Sequence, residues 1–345
     1  MVRQKAYAAA GVDIDAANRT KKRIGEVVRS TLGSEVLSNI GSFGGIYVPP
    51  WKDYTEPALV ASTDSVGTKL KIAFITGDHD VVGADIVAHC ANDILVQGAR
   101  PLFFLDYLGM GRHDPETVEE VISGIAEGCK TCGCALLGGE MAELPGIYAD
   151  GEYDLAGTIV GIAEREKLID KSRVRPGDLL IGLASTGLHT NGYSLARKLL
   201  FETAGLTVDT HVEQLGAAVG EGLMAPHRCY VPSVLPLLAS TDVKAMAHIT
   251  GGGLIDNLPR ALPEPLGARI RRGAWEEPPI FSLLQEIGQI EDLEMFQTFN
   301  MGVGLALIVP AEQQERALEN LSGAGESAFH LGEVIEDPDH AVQIV

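Results

Sequence analysis

The stretch ALVASTDSVGTKLKIAFITGDHDVVGADIVAHCANDILVQG, residues 58–98, decides the fold because it joins a buried strand to a buried helix. Residues 58–63 are a short apolar run that ends in a polar turn, which is typical of a buried strand. Residues 82–98 carry apolar side chains four apart from Val82 to Ile94, which predicts a helix with one apolar face. A strand followed by such a helix indicates an α/β unit.

The residues that follow repeat this alternation. Two more apolar runs, 134–138 and 155–162, predict buried strands. A helix is predicted over 115–130, because Asp114 is a good N-cap and Pro115 suits the first helical position.

A chain of 345 residues exceeds the usual size of a single core, so two domains are expected. The charged segment 164–178, EREKLIDKSRVRPGD, contains Pro-Gly and has little periodicity, which is typical of a domain boundary. The predicted domains are residues 1–170 and residues 171–345.

Beyond this boundary the α/β pattern begins again. Strands are predicted at 178–184 and 302–309, and a helix at 193–202. Residues 243–249 lead into the turn 250–253 and a further helix. The predicted fold class is therefore α/β or α+β in two parts of similar size.

The bulk composition excludes some classes of function. The 47 acidic and 27 basic residues give a formal net charge of −20, which argues against non-specific nucleic-acid binding. The N-terminus lacks the apolar stretch of a secretory signal, and no apolar run could span a bilayer. We therefore expect a cytoplasmic protein without a membrane or nucleic-acid partner.

Five cysteines do not suggest a disulfide framework in a chain of this length. Cys129, Cys132 and Cys134 could be zinc ligands or a redox pair, but no second ligand pair follows them. Cys129 also continues the apolar face of the preceding helix, which favours a structural role for the group.

Three carboxylates lie near predicted strand ends or on a buried helix: Asp64, Asp93 and Glu140. Mg²⁺ prefers carboxylate, phosphate and water oxygens, and strand ends open onto ligand crevices. The alternative for each acid alone is a turn cap or a solvated side chain. Asp93 also belongs to a polar stripe on its helix, which must either face a cleft or find partners. The stripe comprises Asp85, His89, Asn92 and Asp93.

Glycine-bearing turns are candidate phosphate sites in the first half. The early turn could be a mobile flap over a nucleotide, and the second follows Asp64 directly and ends in a lysine. Neither turn is a Walker A loop, and each alone is weak evidence among 40 glycines. The turns are Ser42-Phe43-Gly44-Gly45 and Ser65-Val66-Gly67-Thr68-Lys69.

Two turns in the second half join a strand to a helix. Each combines hydroxyl groups, glycine amides and a helix N-terminus, which commonly hold a phosphate monoester. Each also carries a histidine that could bond an amide or move a proton. Ordinary capped connections remain the alternative. The candidates are Ser185, Thr186, His189 and Asn191 in the first turn and His248, Thr250, Gly251, Gly252 and Gly253 in the second.

Eight strings, in order and from about Tyr7 to the C-terminus, resemble the phosphoribosylformylglycinamidine cyclo-ligase family, also called aminoimidazole ribonucleotide synthetases. Together they are far more specific than any single motif. They are GVDIDAAN (11–18), STDSVGTKL (62–70), ANDILVQGARPLFFLDY (91–107), ISGIAEGC (122–129), LLGGEMAELPGIY (136–148), HTNGYSLARKLL (189–200), AHITGGGLIDNLPR (247–260) and FNMGVG (299–304).

The resemblance implies an enzyme that converts formylglycinamidine ribonucleotide and ATP into aminoimidazole ribonucleotide, ADP and phosphate. It also implies a cytoplasmic homodimer of two-domain chains, whose N-terminal mixed sheets pair into a barrel with nucleotide sites near the interface. The C-terminal domain would be an α/β sandwich.

Site roles follow from the same resemblance. Mg²⁺ would lie on Asp64, Asp93 and Glu140, with Lys69 beside the phosphates of ATP. His189 is favoured over His248 for polarising the amide or moving a proton. The nucleotide would contact the early flap, Gly67, Thr68, Lys69, Asn92, Gly138 and Gly139, and the two later turns would hold the substrate.

Two positions depart from the family pattern. Position 65 is Ser where Gly is usual, and position 141 is Met where Thr is usual. Selenophosphate synthetase and thiamine-monophosphate kinase are related alternatives. The absence of a Cys before Cys90 argues against the former, and the string from Thr250 to Arg260 favours the purine branch. A non-catalytic ATP-binding scaffold and a cysteine-based metal or redox module are further alternatives.

Overall fold

The computed structural model describes residues 14–39 and 41–345. The start of the GVDIDAAN string and the first residues of the predicted domain 1–170 lie outside the described residues. Within them, no helix is both long and apolar enough to cross a membrane.

Strands and helices alternate along most of the chain. The strands are β1 Pro57–Ser65, β2 Arg100–Met110, β3 Ala135–Glu143, β4 Tyr153–Glu164, β5 Leu179–Ala184, β6 His211–Val212, β7 Ala217–Ala218, β8 Ala245–His248, β9 Leu266–Ile270, β10 Val303–Val309, β11 Ala328–Glu336 and β12 Val342–Ile344.

The helices lie between these strands, and a π-helical segment, Lys198–Thr203, continues α5. They are α1 Ile14–Arg29, α2 Leu70–Thr76, α3 His79–Leu95, α4 Pro115–Cys132, α5 Tyr193–Arg197, α6 Val219–Leu223, α7 Val231–Leu237, α8 Gly253–Asn257, α9 Pro279–Gly288, α10 Asp292–Thr298 and α11 Gln314–Gly323.

The first sheet has four strands in the order β1-β4-β2-β3. Strand β4 pairs antiparallel with both β1 and β2, whereas β2 and β3 are parallel. The α3 and α4 helices cover one face, which we call the inner face, and their apolar side chains are almost wholly buried. The sheet is therefore mixed, as the sequence predicts.

Glycines allow α3 and α4 to pack closely. A Cβ atom at Gly124 would overlap the carbonyl oxygen of Asp80, and one at Gly83 would overlap that of Val121. Because these obstacles are backbone atoms, a side chain at either glycine would push the helices apart. This close packing fixes the position of α3, which carries several candidate site residues.

The opposite face of the first sheet, which we call the outer face, carries no helix from the described residues. Along β1 the side chains alternate between exposed and half-buried positions, so that Ala61 and Thr63 point outward. Val160 pairs in register with Ala61, and the Thr63 hydroxyl lies 2.8 Å from that of Thr158. A hairpin-like segment lies on part of this face, where the ring of Tyr47 contacts that of Phe103.

The second sheet has six strands in the order β12-β9-β11-β5-β10-β8. Only the β12–β9 pair is parallel among them. Strand β10 is buried along its whole length, which places the core of this half behind it. His189 lies in the turn after β5, and His248 is the last residue of β8.

The sequence predictions for individual elements are mostly confirmed. The Asp114 side chain accepts a bond from the amide of Thr117 at 3.1 Å, so the predicted N-cap of α4 is present. The strand predicted to end at residue 138 is wrong in its end point, because β3 runs on to Glu143. Gly138, Gly139 and Glu140 therefore lie within a strand and not in a turn.

The two departures from the family pattern are accommodated locally. Ser65 has no left-handed backbone angle that would require glycine, and its amide bonds Oδ1 of Asp64 at 2.7 Å. Met141 is partly buried and packs against the core. Neither substitution distorts its strand.

Candidate functional site

Asp64 reaches the inner face of the first sheet from the end of β1. Its Oδ2 atom lies 2.8 Å from Nε2 of His89, which is on α3. The Asp64 side chain is 38% exposed, whereas that of His89 is only 5% exposed. The carboxylate therefore has access to solvent, while its imidazole partner is fixed inside the protein.

From His89 a series of polar contacts crosses to the second half of the chain. Nδ1 of His89 lies 2.7 Å from the Thr190 hydroxyl, which lies 3.3 Å from Nδ1 of His227. Nε2 of His227 is 3.1 Å from Nε2 of His248, and Nδ1 of His248 is 2.8 Å from Asp93. Asp64 and Asp93 are thus the two ends of one network.

The number of protons in this network is informative. Its five contacts each need one proton, but three neutral imidazoles and one hydroxyl supply only four. Two ionised carboxylates supply none. The network is complete only with one further proton, which would lie on an imidazole or on one of the carboxylates.

Both carboxylates favour their charged forms. Burial by itself raises the pKa of Asp64, but the hydrogen bond and charge of His89 outweigh it and lower the pKa below its ordinary value. Burial likewise opposes ionisation of Asp93, and the bond from His248 outweighs it, so this pKa is also lowered. Ser62 adds a bond to Asp93 at 3.0 Å.

His189 lies beside the network and has an unusual geometry. Its backbone is left-handed, with φ of 60°, and its ring stacks on that of His227 at 4.2 Å between centroids. Burial, and then the charge of His248, lower its pKa well below the ordinary value, so the ring is neutral near pH 7. Nε2 accepts the amide N–H of Thr186 at 3.3 Å.

This bond fixes the tautomer of His189. Because Nε2 is the acceptor, the proton of the neutral ring lies on Nδ1. Nδ1 is buried and has no hydrogen-bond partner among the described residues, and the same is true of Nδ2 of Asn191. Unpaired buried donors are rare, and two from one turn indicate a place where an acceptor-rich ligand binds.

The other predicted residues of the two later turns have partners within the chain. The Ser185 hydroxyl bonds the Gly187 carbonyl and Asn300, and the Thr186 hydroxyl bonds the Pro226 carbonyl. Thr250 Oγ1 lies 3.4 Å from Asn257. Asn191 lies against the second turn, because a Cβ at Gly251 would be 3.3 Å from its Oδ1. The structure therefore brings the two turns together.

Lys69, predicted to lie beside the phosphates of ATP, points into the interior of the protein and not into the open cleft. Its side chain has no exposure, and Nζ lies 2.6 Å from Asp85 and 2.7 Å from the Ala225 carbonyl. Asn92 is likewise fully buried and bonds backbone groups of residues 228 and 230. Thr68 does lie at the surface, 3.1 Å from Ser194.

Glu140, the third carboxylate of the predicted metal site, is separated from the other two acids within one chain. It pairs in register with Tyr107 on the outer face, whereas Asp64 lies on the inner face. β1 and β3 are the two edge strands, three strand spacings or about 14 Å apart. The structure brings together only Asp64 and Asp93.

The predicted nucleotide residues near Glu140 form a second group on the outer face. Gly138 faces Leu105 there, and a Cβ at Gly45 would overlap Leu137. The side chain of Phe43 is fully exposed. Ser42 and Gly44 belong to the same turn as Phe43 and Gly45, and Gly139 follows Gly138 in β3. Gly139 itself packs on Asp106 at the inner face. The candidate residues thus occupy two separate places.

The donor set at Asp64 and Asp93 fits a divalent cation. Two ionised, partly exposed carboxylates match the usual protein ligands of Mg²⁺, which completes its shell with phosphate and water. His89, Asp93 and His248 also place donor atoms within 4.8 Å of one another.

The cysteine group is buried, in agreement with its predicted structural role. Cys129, Cys132 and Cys134 lie in the core, and all are free thiols. Cys132 contacts Cys229 across the two halves, with 3.1 Å between the sulfur atoms.

His227 is the site residue that the sequence analysis does not find. It lies in the segment MAPHRCY, which has no glycine turn and belongs to none of the quoted strings. Its position becomes visible only when its tertiary contacts with His189, Thr190 and His248 are known.

A cavity of about 1,090 Å³ lies elsewhere, near Glu56 at the opposite end of β1. Its cationic groups are partly paired already, as in Arg165 with Glu56 and Arg173 with Asp242. It shares no residue with the histidine network.

Family models match both halves of the chain. Residues 50–163 match the N-terminal domain described as "AIR synthase related protein", and residues 175–345 match its C-terminal domain. A phosphoribosylformylglycinamidine cyclo-ligase of Syntrophotalea carbinolica is 53% identical over 96% of this chain and 95% of its own length. One from Desulfatibacillum aliphaticivorans is 51% identical, over 97% and 96% respectively.

Solved structures share the fold at low identity. A thiamine-monophosphate kinase from Stenotrophomonas maltophilia superposes with a TM-score of 0.70 at 16% identity, covering 93% of this chain and 95% of that one. The hydrogenase maturation protein HypE of E. coli gives 0.65 at 19%, covering 94% and 93%. HypE has also been solved in complex with ATP, at a TM-score of 0.63 and 19% identity, covering 92% and 86%. These likenesses concern the fold alone.

Proposed function

We propose how the work of catalysis is divided within this chain, which belongs to the phosphoribosylformylglycinamidine cyclo-ligase family and closes the imidazole ring of aminoimidazole ribonucleotide in purine biosynthesis. The carboxylate end of the histidine network serves phosphoryl transfer, and the turn 189–191 holds the formamide end of the substrate. The unpaired N–H donors of His189 and Asn191 carry this proposal.

The reaction has to turn a formamide oxygen into a leaving group. Transfer of the γ-phosphoryl group of ATP to that oxygen gives an imidate-like phosphate, and the amidine nitrogen then attacks the same carbon. Phosphoryl transfer depends mainly on positioning and charge neutralisation. Asp64 and Asp93 would hold Mg²⁺, which supplies that neutralisation when it is bound.

His189 would donate its Nδ1 proton to the formamide oxygen. A neutral imidazole is suited to this, because it donates without adding a charge that repels Mg²⁺ or attracts a second carboxylate. Asn191 would donate from Nδ2 to a neighbouring oxygen of the same substrate. Stacking on His227 and the bond from Thr186 keep the His189 ring in place before the substrate arrives.

ATP binding is supported by the family and by the solved complexes of distant relatives, which include HypE with ATP and a PurL of T. maritima with AMPPCP.

We propose that the outer-face group, namely the flap 42–45 with Gly138 and Glu140, serves the nucleotide near a homodimer interface. The open apolar outer face supports this pairing, since a sheet normally has such a face covered. A cytoplasmic location and the boundary between 1–170 and 171–345 are parts of the same proposal.

The role of His189 is tested by two variants in an assay that follows the aromatic amine product and ADP together. His189→Ala should lower kcat by about 100-fold or more, with a KM for ATP close to that of the parent chain. His189→Asn keeps an N–H donor and tolerates the left-handed backbone, so it should retain more activity. Parental kcat in His189→Ala would remove the residue from the mechanism.

A further inference from the structure

Side chains of the first half of the chain form hydrogen bonds with the backbone of the segment Ala225–Tyr230, which we call the positioning loop. Lys69 donates to the carbonyl of Ala225 at 2.7 Å, and Asp85 accepts the amide of His227 at 2.6 Å. Asn92 donates to the carbonyl of residue 228 at 2.8 Å and accepts the amide of Tyr230 at 3.0 Å. Four backbone groups of one short loop are thereby fixed across the domain junction.

The side chains that make these bonds have no exposure to solvent. The ammonium group of Lys69 lies 2.6 Å from the carboxylate of Asp85, so both charges are paired inside the protein. A buried ion pair seldom adds net stability compared with apolar packing. The ion pair has a geometric role here, because each member also forms a hydrogen bond with one backbone group of the loop.

The positioning loop in turn fixes the two histidines of the later turns. His227 stacks on His189 with 27° between the ring planes, and it meets His248 through a 3.1 Å contact. The hydroxyl of Tyr230 donates to the carbonyl of Ala184, where β5 passes into the turn that carries His189. Removal of the loop's supports would therefore release the imidazoles that the reaction uses.

We propose that the positioning loop is a built-in alignment device in which His227 sets the orientation of His189 and His248, and that Lys69 and Asp85 act through it and not on the nucleotide. This inference rests on the proposed function for its readout. It makes His227, Lys69, Asp85 and Asn92 positioning residues of the ring-closure reaction.

The first test compares Lys69→Met with Asp85→Asn in the full chain. Both should lower kcat by about tenfold or more while the KM for ATP stays within about twofold of the parent. Hydrogen exchange at the amides of the positioning loop should become faster in both. Lys71→Met is the matched control, because Lys71 pairs with Glu152 at the surface and should leave all three quantities unchanged.

A phosphate-binding role for Lys69 predicts a different pattern. Lys69→Met alone would then raise the KM for ATP by tenfold or more, Asp85→Asn would not, and exchange in the loop would not change. That result would overturn the proposal. If the parent chain made no amine product at all, the proposed function would fail instead, so the two failures are distinguishable.

The second test does not disturb the buried ion pair, so it remains available if the first variants do not fold. His227→Ala removes both the stacking surface and the bonds, and it should lower kcat by more than tenfold. His227→Phe restores a ring against His189 and should recover part of that loss without restoring the contact to His248. Parental kcat in His227→Ala, or no difference between the two variants, would contradict the assigned role.

Discussion

At the scale of single residues, the site depends on which way a polar side chain points. Asp64, His189 and His248 can be selected from the sequence because acids and histidines near strand ends commonly face ligand crevices. Asp93 can be selected because it belongs to a polar stripe on a buried helix. The structure brings these four together. The direction of a side chain in a glycine-bearing turn cannot be predicted in this way, and Lys69 points to Asp85 in the interior.

His227 shows the remaining limit of sequence reasoning. Its importance comes from contacts with His189, Thr190 and His248, which are between 21 and 38 residues away. Such pairings depend on tertiary packing within the second half of the chain and leave no local pattern. Only a family alignment or a structure could mark this position.

Asp106 provides a prediction about pH. Burial, and then the nearby charge of Glu140, raise its pKa to about 7. An unfolded value of about 3.9 means that its ionisation costs up to about 4 kcal/mol of folding free energy. Because the pKa is raised in the folded state, the protonated carboxyl group of Asp106 favours folding, and this contribution is fully present below about pH 4. The contribution is lost as the pH rises through 7.

Asp106→Asn removes that dependence. The variant should be more stable than the parent at pH 8 and similar to it or less stable near pH 5, as measured by denaturant midpoints at the two pH values. Equal differences from the parent at both values would show that Asp106 does not titrate in this range.

At the scale of elements, local signals predict starts better than ends. The N-cap Asp114 and Pro115 place the start of α4 correctly, because capping is decided by neighbouring residues. The end of β3 is predicted too early, since Gly138 and Gly139 look like a turn but pair in register with β2. β2 itself lacks a clear alternation because much of it is buried, and the sequence analysis does not predict it.

The close packing of α3 on α4 gives an element-scale prediction. Gly124→Ala gains helix propensity but adds a methyl group that overlaps the backbone of Asp80. We expect a net loss of about 1–3 kcal/mol in the free energy of unfolding. Gly323→Ala is the control, because no atom lies within 4 Å of its added Cβ and its φ is not left-handed. Equal midpoints for Gly124→Ala and the parent would contradict the close packing.

At the scale of the whole molecule, the outer face of the first sheet predicts how two copies meet. Val160 lies half-buried at the centre of this face in the single chain. Val160→Glu should therefore fold but yield monomers, because a charge would be desolvated when two such faces pair. Light scattering measures the mass. Leu293→Glu, at a position 61% exposed in the second half, is the control and should leave a dimer. A dimeric Val160→Glu would place the interface elsewhere.

The proposed reaction needs residues from both halves of the chain. Asp64 and Asp93 come from the first half, whereas His189, Asn191 and His248 come from the second. The histidine network is the physical link between them. In the proposed mechanism, the domain junction therefore sets the position of phosphoryl transfer relative to the formamide carbon.

The most direct test of the central claim is a stoichiometric assay of the full chain with formylglycinamidine ribonucleotide, ATP and Mg²⁺. We expect the parent chain to form one molecule of the aromatic amine for each molecule of ADP released. We also expect turnover to collapse in Asp64→Asn while the fold and the oligomeric mass are retained. ADP release without the amine, no substrate-dependent ADP, or parental turnover in Asp64→Asn would contradict the central claim.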